Sequence, residues 1–104
     1  MNEFVRNDTG FPITFVLTDI KDNAYDLTDS TIIFKMKNTV TGDSLMGSGG
    51  ECTIVNATSG LCKYDVVDGD FSTAGIYDAE LQITFSSGKI RTSKLGKIKI
   101  LEDL

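Results

Sequence analysis

Apolar and polar positions alternate along most of the chain with a period of two, the spacing that puts every second side chain on one face of a β-strand. Ile13, Phe15 and Leu17 alternate with Thr14, Val16 and Thr18. Pro12 stands where that strand begins, a position at which its missing N–H costs little. A turn-rich stretch at residues 19–23 leads to a short segment at 24–27. Residues 31–37 then carry Ile32, Phe34 and Met36 on one side, with Thr31, Ile33, Lys35 and Lys37 on the other. Thr41-Gly42-Asp43 and Gly47-Ser48-Gly49-Gly50 bracket a further candidate strand at 44–46.

The second half of the chain is more regular. Residues 51–56 and 61–66 are two strand-like runs around Ala57-Thr58-Ser59-Gly60, a hairpin connection. Asp68-Gly69-Asp70 breaks the pattern, and residues 71–74 have room for one helical turn at most. From Gly75 onward Tyr77, Ala79, Leu81, Ile83 and Phe85 line one face, and Asp78, Glu80, Gln82 and Thr84 line the other. After Ser86-Ser87-Gly88 the chain returns through Ile90, Thr92, Ile98 and Ile100, four even-numbered positions expected to share a face. Lys94 and Gly96 interrupt that face and Leu95 sits out of phase, the mark of a bulge, which inserts one residue and re-aims the strand. No window of about 11 residues has the apolar spacing of an amphipathic helix. About seven short antiparallel strands predict a sandwich or a small barrel, formed as one domain spanning residues 1–104.

Charge narrows the range of partners. Ten basic side chains against fifteen acidic ones give a formal charge of −5, which argues against nucleic acid as a partner, since that needs a basic face. No apolar run is long enough to span a membrane. Residues 1–10 hold Glu3 and Asp8 and no apolar core of a signal peptide, so synthesis in a cytoplasm is expected.

Catalytic chemistry finds little footing. The chain has no histidine, which removes Ser–His–Asp and Cys–His arrangements and histidine metal sites. Gly88-Lys89 and Gly96-Lys97 lack the context of a phosphate loop. Ser93 and Lys94 are adjacent, so on a strand they point to opposite faces. Asp65, Asp68 and Asp70 with Gly69 resemble a calcium loop but lack its bidentate glutamate and spacing, and read as a turn. Asp19, Asp22, Asp26 and Asp29 read as turn residues around a short strand. No enzyme, no catalytic or metal-binding residue, no cofactor and no small-molecule substrate are expected.

With Asn56 opposite Leu61, Cys62 faces Val55 and Cys52 faces Asp65, which puts the two sulfurs on opposite faces. A loop one residue longer or shorter restores a common face but leaves them staggered. Two free, buried thiols are therefore expected. The nine aromatic residues mostly fall in phase with aliphatic neighbours and are expected in the core. Tyr77, two residues after Gly75, is placed to tie its hydroxyl to nearby backbone as a tyrosine corner does.

Four stretches together carry a family resemblance: PITFVLTD at 12–19, DLTDSTIIFKMKN at 26–38, SGLCKYDV at 59–66 and GIYDAELQI at 75–83. Their order and spacing resemble the N-terminal domain of phage baseplate upper proteins, over about residues 11–101. The matching positions are Asp19; Asp26, Leu27 and Thr28; Gly60 and Tyr64; and Gly75, Tyr77, Ala79 and Glu80. The resemblance implies an immunoglobulin-like antiparallel β-sandwich of about seven strands. It also implies a non-enzymatic structural part in a phage or prophage tail, at the baseplate or tail tip, made in the bacterial host cytoplasm and carried in the virion. Members usually carry this domain at the front of a longer protein, with helical, fibre or receptor-binding parts behind it. The chain stops at Leu104, so either an excised domain or a small stand-alone structural protein is expected, with Met1 favouring the second, and receptor binding is not expected of it. The implied partners are other phage structural proteins, with copies of the chain in a ring. The alternatives are a capsid decoration or head–tail protein, or a carbohydrate-binding module, which would need exposed aromatics and usually tryptophan; the chain has none. Residues 19–24 and 38–50 are the longest polar segments and the expected docking loops, the latter glycine-rich enough to order on contact.

Overall fold

Seven strands form two sheets in a computed structural model that describes residues 2–19, 21–42, 44 and 50–103. The strands are β1 (Asn2–Val5), β2 (Pro12–Val16), β3 (Thr31–Asn38), β4 (Thr53–Asn56), β5 (Leu61–Asp65), β6 (Gly75–Thr84) and β7 (Ile90–Leu101). One sheet has the order β1-β7-β6-β3, the other β2-β5-β4. No helix occurs among the described residues, and residues 71–74 form a turn and bend.

The inner faces follow the alternation. Ile32, Phe34 and Met36 of β3 are buried, as are Tyr77, Ala79, Leu81 and Ile83 of β6. Register places Phe34 opposite Leu81 and Ile32 opposite Ile83. Phe34 spans the gap between the sheets, its ring 5.6 Å from that of Phe15 and 5.4 Å from that of Tyr64. Such aromatic pairs add about 0.5–1.5 kcal/mol beyond their buried area. Ile13 and Phe15 point inward but remain half-buried, because β2 is an edge strand.

The chain crosses between sheets on both sides of the sandwich. On one side β1 gives way to β2: the Asn7 N–H donates to the Phe71 carbonyl (2.7 Å) and the Gly10 N–H to Val66 (2.9 Å). Phe4, Phe11 and Phe71 cluster beneath that crossing, with ring centroids 5.1–6.2 Å apart. On the other side residues 50–52 run along β3, where the Phe34 N–H donates to Gly50 (2.7 Å) and the Cys52 N–H to Ile32 (2.8 Å).

The structure departs from the sequence pattern in four places, and a fifth expectation falls mostly outside the described residues. β1 was not expected, and its pairing with β7 is parallel, whereas the other strand pairings are antiparallel. Four residues whose partner lies almost a chain length away carry no alternation to read. Residues 24–27 form no strand; a single bridge joins Thr18 to Ala24, and Leu27 is buried as part of a turn. In the candidate strand at 44–46 only Ser44 is described, bridged to Lys37, and the rest lies outside the described residues. In β7 the bulge falls at Leu95: Ala79 pairs with Gly96 and Glu80 with Lys94. The inward phase therefore switches there, so Ile98 and Ile100 are buried while Ile90 and Thr92 lie on the outer face. In β4 a second bulge at Val55 puts Ile54, not Val55, opposite Cys62, although Asn56 faces Leu61 as expected.

Tyr77 forms the expected tie. Its ring is buried and its hydroxyl donates to the Thr73 carbonyl at 2.8 Å, fastening the turn before β6 to the strand itself. Tyr77→Phe keeps the ring and loses this bond, an expected cost of about 0.5–1.5 kcal/mol in urea unfolding. An unchanged midpoint would mean that the bond contributes nothing to the corner.

Candidate docking surfaces

The structure separates the aspartates of the 65–70 cluster. Asp70 is buried, and its carboxylate accepts from the Tyr64 hydroxyl and from the Val67 N–H at 2.9 Å, so it closes the 67–70 turn. Asp65 and Asp68 stay exposed, and Lys63 lies 3.5 Å from Asp65. No three His, Cys, Asp or Glu side chains come together as a metal site among the described residues. Ser93 pairs with Leu81 and Lys94 with Glu80, on opposite faces of β7.

The Val55 bulge corrects the cysteine geometry. It brings Cys52 onto the same inner face as Cys62, and both are buried and free. Burial, with the neighbouring Cys62 adding to it, pushes the Cys52 thiol up to about 12, and burial also raises Cys62. Since the thiolate is the reactive form, both thiols should react slowly with a disulfide reagent in the native protein at mildly alkaline pH. Denatured without reductant, the chain should return two thiols; a smaller number would reveal a bond.

The positions that carry the family resemblance have structural duties. The Asp19 carboxylate accepts from the N–H groups of Lys21 (2.8 Å) and Asn23 (3.0 Å), and these bonds lower its pKa. The Asp26 carboxylate accepts from the Thr28 hydroxyl (2.6 Å) and N–H (3.0 Å), with the same effect. Between them Leu27 drops into the core, and its N–H donates to Ala57 at 2.9 Å. Gly60 has φ of +70°, and its carbonyl accepts from the Leu17 N–H at 2.8 Å. A Cβ on Gly60 would lie 2.4 Å from the Leu17 carbonyl oxygen, so only glycine lets the hairpin approach this closely.

What remains available for recognition is the surface. β1, β2 and β4 are sheet edges, whereas β3 is partly paired by residues 50–52. The β4 edge is blunted by its bulge. Val16 and the bulged Val55 are 64% and 54% exposed and flank Leu61 across the outer face of the three-stranded sheet. Of the expected docking loops, 19–24 has its Lys21 and Asn23 N–H groups tied to the Asp19 carboxylate, with Ile20 outside the described residues, and in 38–50 Asp43 and residues 45–49 lie outside them.

The outer face of the four-stranded sheet carries a feature that alternation alone does not reveal. Register sets its side chains in rows: Lys97, Asp78 and Lys37 in one, Lys94, Glu80 and Lys35 in the next, with Glu3, Lys99 and Ile76 beside them. Five of the ten basic side chains thus share a face with three of the fifteen acidic ones, so the rest of the molecule is strongly acidic. Lys94 pairs with Glu80 at 2.8 Å, and Lys97 pairs with Asp78. Both carboxylates on β6 are therefore engaged with β7. Lys35 donates instead to the Gln82 amide oxygen (2.8 Å), and Lys37 has no carboxylate within ion-pair distance among the described residues. An open cleft of about 500 Å³ lies here, lined by Lys35, Lys37, Asp78, Glu80, Lys94 and Gly96 among others. The signal available in the sequence was the outward i, i+2 spacing of Lys35 with Lys37 and of Lys97 with Lys99; the rows themselves needed the pairing.

Compared with known families, residues 11–98 match the BppU N-terminal domain. The match takes in β2 through β6 and most of β7, and leaves β1 outside. No curated protein matches the chain.

Proposed function

We propose, for a chain that belongs to the BppU N-terminal domain family and so to the structural proteins of the phage baseplate, that it works by docking and catalyses no reaction. The observation that carries this reading is the use made of the family-like positions. Leu27, Tyr64, Tyr77 and Ala79 build the core, Asp19 and Asp26 close turns, and Gly60 seats the hairpin. With these residues engaged in the fold, the working part is the surface. Edge strands and end loops are the usual means by which a sandwich recognises protein, because its inner faces are committed to the core.

The partners in this reading are other structural proteins of the particle, and copies of the chain stand in a ring at the baseplate or tail tip after synthesis in the host cytoplasm. Symmetry then multiplies modest contacts through avidity. Antibodies raised against the folded domain test the reading on intact particles viewed by electron microscopy. Label at the tail tip is the expected result. Label over the head would overturn it in favour of capsid decoration. Absence from purified particles, combined with a catalytic or glycan-binding activity of the free protein, would overturn the structural reading as a whole.

A further inference from the structure

From the lysine rows we infer that the outer face of the four-stranded sheet is a docking surface for an extended, acidic polypeptide segment of a different protein, seated over Lys35 and Lys37. The inference rests on the docking reading above and names the surface and the partner chemistry.

Three observations carry it. The first is an imbalance of charge pairing. β6 offers Asp78 and Glu80 to lysines on both sides, and both carboxylates are taken by β7 through Lys97 and Lys94. Among the described residues this leaves the Lys35 and Lys37 ammonium groups on β3 without a carboxylate partner, beside an open cleft in a molecule of net charge −5. Like charges two residues apart on one strand face repel, and an incoming anion relieves that repulsion.

The second observation is spacing. Lys35 and Lys37 are alternate residues of a strand, about 6.5–7 Å apart along the chain at the usual rise. An extended segment with acidic residues at alternate positions presents carboxylates at the same interval. A nucleic-acid strand fits less well, since its many charges extend beyond this one face onto a molecule of net charge −5.

The third observation favours a different protein over a second copy of these residues. Acidic residues at alternate positions occur at Asp68 with Asp70 and at Asp78 with Glu80. Asp70 is buried against Tyr64, and the other pair belongs to the face itself. The partner inferred is accordingly another protein.

The test is an amide chemical-shift titration of the intact, isotope-labelled chain with a short peptide that alternates Glu and Thr. Its controls are a peptide alternating Lys and Thr and a single-stranded oligonucleotide. The expected shifts concentrate on β3, β6 and β7 around Lys35, Lys37 and Lys94, and they weaken as salt rises. Lys35→Glu/Lys37→Glu should weaken the acidic peptide by about tenfold or more. Lys35→Gln/Lys37→Gln, which adds no new repulsion against Asp78 and Glu80, should weaken it by a smaller factor and keeps the test valid if the reversal unfolds the protein. No binding, binding unchanged in the glutamine variant, shifts mapping to another surface, or tighter binding of the oligonucleotide would each overturn the inference. Tail labelling is decided separately, so failure here leaves the baseplate reading standing.

Discussion

Leu81→Ala is expected to destabilise the domain by roughly 2–5 kcal/mol in equilibrium unfolding. Leu81 is fully buried at the middle of β6, between β3 and β7, with Phe34 directly opposite. Shortening it removes apolar contacts and leaves a cavity in the layer where Phe34 meets Phe15 and Tyr64, and strands on both sides limit how far the gap can collapse. For a domain of this size the expected loss is a large part of the whole stability, about 5–15 kcal/mol. Leu81→Met, which nearly conserves volume, should cost less than about 1.5 kcal/mol. A loss below about half a kcal/mol for the alanine variant would show that the strand phase is wrong.

Gly60→Ala should be comparably damaging for a different reason. The added methyl lies in open space in many glycine positions, but here it meets the Leu17 carbonyl oxygen at 2.4 Å and the Tyr25 carbonyl oxygen at 3.3 Å. Backbone cannot swing aside as a side chain does, so the hairpin must lift and stretch the 2.8 Å bond from the Leu17 N–H to Gly60. The left-handed conformation adds about 1–2 kcal/mol, and overpacking typically adds about 1–3 kcal/mol. The sum is roughly 2–5 kcal/mol. Gly88 supplies the control: its φ is also positive, at +88°, but a Cβ there meets nothing within 4 Å. Gly88→Ala should therefore cost only the conformational part, and equal losses for the two variants would rule out the close approach at Gly60.

How far the fold was legible depended on whether each strand is specified by its own residues. β3 and β6 have one buried face each along their length, so Ile32 to Met36 and Tyr77 to Ile83 betray the inward side without knowledge of their partners. β1 has neither length nor alternation and exists because β7 offers it an edge, through pairs such as Phe4 with Ile100. The two bulges mark the limits of phase reading. At Leu95 an interruption was visible, yet which side Ile90 and Thr92 would take depended on where the extra residue fell. At Val55 nothing in Thr-Ile-Val-Asn announces a bulge, and the faces of Cys52 and Cys62 could not be assigned without it. The lysine rows were hidden for a similar reason. Lys35 and Lys37 are outward in any correct phase, but their distance from Lys94 and Lys97, and the capture of both β6 carboxylates by β7, follow from register.

Family membership and the physical reading meet in one claim: this sandwich is a built-in part of the phage baseplate. The most direct measurement is a cryo-electron microscopy reconstruction of the distal tail of intact particles. The account predicts density for the two-sheet sandwich, with strand order β1-β7-β6-β3 against β2-β5-β4, repeated around the tail axis at the baseplate. A baseplate fully accounted for by other proteins, or the same density found on the capsid, would contradict it.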